Sequence, residues 1–519
     1  MKRFELIRRC SPSPSRLGLA ATALLCGALA GCVVGPKYHA PATPAPPDYK
    51  EQAAPATTPA TETTSDPTLG GLGQWSPAKP SDAMLRGKWW EIYHEPELNT
   101  LEDELNINNQ NIKQSFENFM AARATVREAR AQYFPTVGVA PALTYSHTSA
   151  NISGVTGNSK LIELPAEASW EPDLWGKVRN TVRQAQYTAQ LNAADLENER
   201  LTEQAALATY YFELRGQDAL RQILDDTVVA YKQTLELTRA QYETGIATEL
   251  AVRQAESTLA SAQSTATNLG VARAQYEHAI AMLIGKPAAE FSLAPRPMLI
   301  TPPSVPVGLP SQLLERRPDI AAAERQMAAS NAQIGIAYAA FYPNLTLSGT
   351  AGLESTTWKH LLDWPSRFWS VGPSISETVF DAGLRRATIQ QYTATYNANL
   401  AGYRQTVLTA FQQVEDALAA LRILSEQIQQ QHQAVEAAKR ALDLEMDRYK
   451  LGLDPYINVV TEQNSLLTAQ QTMAQIEIQR TTASVQLIEA LGGGWDRSQL
   501  PTPQQITAKP AATETAQQK

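Results

Sequence analysis

The chain has 519 residues, a formal net charge of −8 and an isoelectric point of about 5.5. This acidity argues against nucleic acid as a partner, because contacts with a phosphate backbone need an excess of lysine and arginine. The cysteines lie at positions 10, 26 and 32, so a mature chain that begins at the third has no intrachain disulfide. Its stability must come from packing or assembly.

Residues 1–31 have the pattern of a lipoprotein signal peptide. Five basic residues accompany a short apolar stretch, Leu17 to Ala30, and the small residue Gly31 precedes Cys32. Cys32 is therefore predicted to become the first mature residue, carrying S-diacylglycerol and an N-acyl chain, which together anchor a protein stably in lipid. Removal of five basic residues and one acidic residue leaves the mature chain with a net charge near −12. The alternative is ordinary secretion with an incidental cysteine.

Two segments are predicted to lie outside the folded body. Residues 32–80 are rich in proline, alanine and threonine, which indicates an extended tether from the lipid to the body. Residues 496–519 are polar and lack an apolar period, so we expect a disordered tail.

The body is an internal repeat with an offset of 207 positions. Three pairs of glycines share this offset: Gly176 and Gly383, Gly245 and Gly452, and Gly285 and Gly492. Each half is thus one structural unit of fixed length, and the units are predicted to span 81–294 and 295–495.

Each unit begins with a shorter helix that leads into a β-hairpin. The helices are predicted over 97–132 and 311–341, and the strands start after Pro135 and Pro343, with the last strand over about 369–380. One face of these strands is apolar and the other is small or polar. The apolar set is Val137, Val139, Leu143, Tyr145, Ile162, Leu164, Ala166, Ala168, Trp170, Leu345, Leu347, Ala351, Leu353, Val371, Ile375 and Val379.

These strands have the length and pattern of membrane strands. About ten tilted residues cross a bilayer, with lipid on the apolar side and water on the other. A sandwich strand would show the same alternation. The aromatic residues at the strand ends are typical of an interfacial girdle: Trp170, Trp175, Trp358, Trp364, Phe368 and Trp369. Because lipid does not tolerate open sheet edges, four strands must close by oligomerisation, and three copies would give a twelve-stranded β-barrel.

The segment after each hairpin is too long for a globular helix. The 68 residues between Gly176 and Gly245, and the 68 between Gly383 and Gly452, contain no proline and one glycine each. Helices of this length extend about 100 Å. In a trimer they would continue the barrel as a long helical tube, whereas a cytosolic coiled-coil rod would have neither strands nor a lipid anchor.

A second helix follows Gly245 and Gly452, so each glycine is predicted to turn a long helical hairpin. These helices are predicted over 246–284 and 453–491, with Pro455 in the first turn, where proline is tolerated. Both glycines fit a helix C-cap.

Several motifs make the chain resemble the OprM/TolC-like outer-membrane efflux factors, in their lipoprotein branch. The resemblance covers nearly the whole mature chain. It rests on Cys32-Val33-Val34-Gly35-Pro36-Lys37-Tyr38, Trp89-Trp90 with Pro96-Glu97-Leu98-Asn99, Leu314-Glu315-Arg316-Arg317-Pro318-Asp319-Ile320 through Phe341-Tyr342-Pro343, and Tyr449 to Gly452.

The resemblance implies a homotrimer in the outer membrane of a Gram-negative bacterium, with a periplasmic helical tunnel. It implies work with an inner-membrane pump, of the RND type, and a periplasmic adaptor in expelling drugs or other small toxic compounds. It places adaptor docking at the turns around Gly245 and Gly452, where a glycine permits close approach and a bulky side chain would obstruct it.

The resemblance also places a gate just after Gly452. Relatives often carry aspartate and arginine there, whereas this chain has Asn458, Thr461 and Asn464. We therefore expect a constriction formed by Ile457 with Asn458, Thr461 and Glu462 as polar neighbours. The alternative is that Ile457 packs inside its hairpin.

No enzyme motif or metal-ligand spacing is found, so no cofactor is expected beyond the lipid on Cys32. Without a nucleotide site, the energy for export must come from a partner. Two alternatives remain open: the same duct serving metal-ion efflux or type I protein secretion, and a structural envelope lipoprotein that does not conduct.

Overall fold

The computed structural model describes residues 33–41, 45–46, 49–51, 87–149, 151, 157–303, 305 and 310–508. The predicted signal peptide and Cys32 lie outside the described residues. So do 52–86 and 509–519.

Helices and strands follow the chain in the order of the repeat. Within the described ranges the α-helices are α1 (Pro96–Asn108), α2 (Gln110–Ala131), α3 (Lys177–Glu243), α4 (Glu249–Leu283), α5 (Pro310–Arg316), α6 (Pro318–Ala339), α7 (Leu384–Lys450), α8 (Tyr456–Ala490) and α9 (Pro503–Thr507). The strands are β1 (Thr136–Val139), β2 (Ala142–Thr148), β3 (Gly157–Trp170), β4 (Asn344–Ser355) and β5 (Arg367–Ser376). No helix in the described part is both long and apolar enough to cross a bilayer.

The long helices form as predicted. Helices α3 and α7 have 67 residues each, and α4 and α8 have 35 residues each. Each long helix pairs with the shorter one that follows it, so each unit contains a helical hairpin with one arm of about 100 Å and one of about 50 Å. Pro455 is the N-cap of α8 and therefore precedes the first turn.

The two shorter predicted helices are each divided. The first breaks at Asn109, whose side-chain oxygen accepts hydrogen bonds from the backbone N–H groups of Asn111 (2.9 Å) and Ile112 (3.0 Å) and so starts α2. The second breaks before Pro318, because a proline ring clashes with a continuing helix and is tolerated at the first helical position.

The strands form one antiparallel sheet that is four positions wide, in the order β1/β2, β3, β4, β5. The first position is divided because Pro141 has no N–H to continue the ladder with β3. The last strand ends at Ser376, earlier than the predicted 380, because its partner strand begins at Asn344, directly opposite.

A buried network of charges fixes the connection between the units. The Arg215 guanidinium, 1% exposed, lies 3.1 Å from Asp218 and also binds Glu97 and the Ala294 carbonyl oxygen (2.8 Å). Arg273 binds the other oxygen of Asp218 at 2.7 Å. Because each of these buried charges has a partner of opposite sign, the connection is held against α3 and α4.

The prediction of disorder from residue 496 is wrong for 496–508. This segment forms a short 3₁₀-helix and then α9, whose Ile506 is buried against α2 and α3. Arg123 donates hydrogen bonds to the carbonyl oxygens of Ile506 (3.3 Å) and Ala508 (3.1 Å). Ile506, the packing of Leu500 against the body and the hydrogen bonds from Arg123 thus anchor a segment whose composition is otherwise polar.

The predicted tether lies on the body where the structure describes it. Tyr49 is buried against α5 and α7, and the backbone N–H groups of Lys50 (2.8 Å) and Glu51 (3.0 Å) donate to the carboxylate of Glu415. At least this part of 32–80 is therefore docked on α7 and is not a free linker.

Candidate functional site: sheet faces and helical tips

The register of the sheet brings the predicted apolar residues onto one face. Val137, Ala168, Gly349 and Val371 lie side by side across the four positions. The neighbouring row is Val139, Ala166, Ala351 and Trp369. Val371 and Trp369 are 77% and 76% exposed, so this apolar face is uncovered over most of its area in the single chain, and Ile162 near the start of β3 is buried.

The opposite face is polar, and its charges are acidic. Serine, threonine and glycine fill most of it, and Glu163 lies directly opposite Glu354, with Glu167 further along β3. Among the described strand residues this polar face carries no lysine or arginine. The sheet therefore has one side suited to lipid and one suited to water.

The predicted aromatic girdle needs one correction. Phe368 pairs with Gly352, which places its side chain on the polar face, because side chains alternate along a strand. Trp170 and Trp369 lie on the apolar face. Trp358 and Trp364 lie in the connection between β4 and β5.

The junctions between sheet and long helices use the same device in both units. Gly176 and Gly383 adopt positive φ values of 79° and 91° before α3 and α7. Asp173 accepts hydrogen bonds from the backbone N–H and Nε of Arg179, both at 3.0 Å. Asp381 binds Arg385 in the same way. A carboxylate at a helix N-terminus is favourable, so each helix leaves the sheet in a fixed direction.

Trp175, at the first junction, contacts the start of β4 through its side chain and residue 34 through its backbone. Its ring stacks on Tyr342 with centroids 4.8 Å apart, and its Nε1 donates to the Pro343 carbonyl oxygen at 2.9 Å. Its own carbonyl oxygen accepts a hydrogen bond from Val34 N–H at 3.3 Å. Residue 33, which follows Cys32, therefore lies at the end of the sheet where the helices begin.

The opposite ends of the helical hairpins turn at Gly245 and Gly452, as predicted. Their φ values are 73° and 70°. Ile246 N–H donates to the Gln241 carbonyl oxygen at 2.8 Å, and Leu453 N–H donates to that of Arg448 at 3.0 Å. Both turns are Schellman motifs, in which a left-handed residue, usually glycine, ends the helix.

Gly285 and Gly492 form the same motif, since Lys286 N–H donates to the Ala281 carbonyl oxygen at 2.9 Å and Gly493 N–H donates to that of Ile488 at 3.0 Å. These four Schellman glycines differ in what surrounds them. At Gly285 an added Cβ would lie 2.7 Å from the Asn108 carbonyl oxygen, and at Gly492 it would overlap that of Arg316. At Gly245 and Gly452 it would meet no described heavy atom within 4 Å. Internal packing therefore accounts for the first two glycines, whereas at the tips only the φ angle does.

Buried polar contacts join the two tips to each other. The Tyr449 hydroxyl donates to Thr238 Oγ1 at 3.1 Å, and Gln463 Nε2 donates to Thr234 Oγ1 at 3.2 Å. The rings of Tyr449 and Tyr456 are 5.4 Å apart inside a shared apolar cluster. Tyr449 belongs to a motif noted in the sequence, but no sequence pattern indicated the threonines of α3.

The two tips expose large apolar side chains. We call this the tip surface: Tyr242, Ile246, Leu250, Leu451 and Leu453. Close by, the Arg448 guanidinium binds the Asp454 carboxylate and lowers its pKa. The second turn is therefore fixed by an ion pair beside an uncovered apolar surface.

The predicted gate residues begin α8. Ile457, Asn458 and Thr461 are exposed, and their spacing places them on one face of the helix. Glu462 is half-buried. Ile457 is 47% exposed, whereas Val460 packs partly into the tip cluster, so the alternative of an internal packing role fits Val460 and not Ile457.

The fold defines a membrane protein in which a two-faced sheet continues into long helical hairpins. Residues 101–286 and 309–493 match the model of the outer membrane efflux protein family. One matched range falls within each of the predicted units 81–294 and 295–495. The chain belongs to this family, and its function is that of an outer-membrane exit duct in an efflux system.

Individual relatives show the same similarity over nearly their whole length. The chain is 31% identical over 490 residues to the antibiotic efflux pump outer membrane protein ArpC of Pseudomonas putida, covering 93% of this chain and 96% of that protein. The toluene efflux pump outer membrane protein TtgC of Pseudomonas putida has the same identity and coverage. The solved outer-membrane channel OprN superposes with a TM-score of 0.80 at 29% identity, covering 89% of this chain and all of that one.

No cluster of three metal-ligating side chains occurs among the described residues.

Proposed function

We propose that this chain forms a homotrimeric duct that passively conducts small toxic organic compounds, received from an inner-membrane pump of the RND type through a periplasmic adaptor. The observation that carries the proposal is the pair of unlike sheet faces, continued by helices about 100 Å long. The names of the relatives, which refer to antibiotics and toluene, support organic substrates.

Three copies are proposed because the sheet has two open edges. The β1/β2 position and β5 each have one strand partner in the single chain, so one side of each ladder is unpaired. Unpaired backbone groups are very unfavourable in hydrocarbon. Pairing β5 of one copy with the β1/β2 edge of the next would close a twelve-stranded barrel, with the apolar face outward and the acidic polar face lining the lumen.

We place the anchor at Cys32, although that residue lies outside the described range. Residue 33 lies beside the sheet–helix junction. If the apolar face of the sheet spans the membrane, the membrane–water interface lies at this junction. Acyl chains on the preceding residue would then reach the membrane without an intervening linker, and the docked tether would run away from it along the helices.

The tip surface is the proposed docking site for the adaptor. It is uncovered and apolar, and it surrounds two glycines for which the described chain provides no neighbour. A group of exposed large apolar residues commonly marks an interaction surface. The face of α8 with Ile457, Asn458 and Thr461, together with Glu462, is the proposed constriction.

The test is dye and antibiotic accumulation in cells with and without this gene, with the pump intact and a proton uncoupler as control. We expect the deletion to raise energy-dependent accumulation, and complementation to reverse it. Unchanged accumulation across a broad panel would reject organic efflux. Metal-tolerance and protein-secretion assays would then test the alternative cargoes.

A further inference from the structure

The end of the sheet opposite the helices has a surface that duct function does not require. It consists of the start of β3, the start of β5 and the connection between β4 and β5, and we call it the outer rim. Its exposed apolar residues are Trp358, Leu362 and Trp364, of which Leu362 is 79% exposed. They continue the apolar face of the sheet beyond the ends of its strands.

Three cations lie among these aromatic residues. Lys160 Nζ is 5.6 Å from the ring centre of Tyr145 and 5.7 Å from that of Trp358. The Arg367 guanidinium lies 3.1 Å from the ring centre of Trp364. Register places Lys160 and Arg367 on the apolar side, since they pair with Tyr145 and Leu353. Lys359, the third cation, is exposed in the connection.

These cations have no acidic partner at the rim. The salt bridges of the described residues include none to Lys160, Lys359 or Arg367, and Asp363 binds His360 at 2.7 Å. Glu163 and Glu354 project from the polar face instead. The stretch 149–159 contains no charged residue. The lipid side of the rim therefore has unneutralised positive charge, unlike the arginines of the helices, many of which are paired.

We propose that the outer rim binds the phosphorylated head group of an anionic glycolipid in the outer leaflet. Aromatic residues at this depth occupy the interface, and neighbouring lysine and arginine attract lipid phosphates. Lys160, Lys359 and Arg367 contact the phosphates, while Trp358, Leu362 and Trp364 lie against the acyl chains. The inference rests on the proposed insertion of the apolar face into lipid.

The experiment is native mass spectrometry of the purified trimer with diphosphorylated lipid A, and with the same lipid after enzymatic removal of its phosphates. We expect tighter binding of the phosphorylated lipid. The variant Lys160→Gln/Lys359→Gln/Arg367→Gln should lower that affinity about 100-fold, since each cation near an anionic surface contributes about fivefold. The matched control, Lys113→Gln/Lys232→Gln/Lys439→Gln, removes exposed charges from the helices and should leave it unchanged.

Equal affinity for the two lipids, or full binding by the rim variant, would overturn the proposal. Raising the salt concentration with the unaltered protein is an independent check, because it should weaken binding of the phosphorylated lipid alone. If the chain does not form the proposed trimeric duct, the result is different, because the spectra would then contain no trimer.

Discussion

The two tip glycines permit a test that separates helix capping from adaptor docking. Gly452 has a φ of 70°, and a Cβ there would meet no described atom within 4 Å. Alanine would therefore add backbone strain of about 1–2 kcal/mol without a clash. Asparagine tolerates this conformation better but extends a larger polar side chain from the tip. If Gly452 serves only as a helix cap, alanine should reduce efflux more than asparagine does. If the turn is a docking site, asparagine should reduce efflux more.

We expect Gly452→Asn to weaken adaptor binding and dye efflux more than Gly452→Ala, with the trimer intact in both. The strain is local because it falls between helices of 67 and 35 residues that continue undisturbed. Adaptor affinity would be measured on purified trimers, and efflux in a complemented deletion strain. A greater loss with alanine, or no loss with either variant, would refute docking at this turn.

Gly492 provides the matched control. It has the same Schellman geometry, but a Cβ there would overlap the Arg316 carbonyl oxygen, so Gly492→Ala should reduce the yield of folded trimer. An unchanged yield of trimer would show that the distance from an added Cβ to its neighbours does not predict whether alanine is tolerated at these turns.

Three further outcomes are expected. Ile457→Ala should raise single-channel conductance in planar bilayers, because it removes an exposed side chain from the proposed constriction; unchanged conductance would exclude this residue from the gate. Cys32→Ser should abolish palmitate labelling, and persistent labelling would place the lipid elsewhere. Burial raises the pKa of Glu102, whose carboxylate oxygens accept no hydrogen bond from any described group, so native Glu102 keeps its proton to a higher pH than in the unfolded chain. This stabilisation is present below pH 4.5 and is lost as pH rises toward the native pKa, by about 1.4 kcal/mol per pH unit. Glu102→Gln should therefore raise the melting temperature more at pH 8 than at pH 5, and an equal shift at both would contradict the account.

The regular parts of the fold follow from sequence because their signals are local and repeated. Absence of proline between Gly176 and Gly245 permits one uninterrupted helix, and the 207-residue offset shows that the second unit has the same length. Alternation along the strands correctly assigned both sheet faces. The first strand was predicted as continuous but divides at Pro141, because proline cannot donate to a ladder.

The segments that dock onto the body could not be predicted in this way. Tyr49 and Ile506 are apolar residues in stretches whose composition indicates disorder, and each is buried by helices distant in sequence. The same holds for the contact between Tyr449 and Thr238, which are 211 positions apart. Such contacts depend on the relative placement of the two units, and no local pattern reports that placement.

The two repeat units are more alike in backbone conformation than in the side chains that they expose. This difference affects how an adaptor would recognise the two tips. Tyr242 and Tyr449 occupy equivalent positions, yet Tyr242 is exposed and Tyr449 is buried against Thr238. If the adaptor recognises only the backbone geometry of the turns, substitutions at Gly245 and Gly452 should lower its affinity equally. An adaptor that contacts side chains would respond unequally, because only the first turn presents a tyrosine. Applying the alanine and asparagine pair to both glycines therefore tests whether backbone shape or side-chain chemistry determines docking.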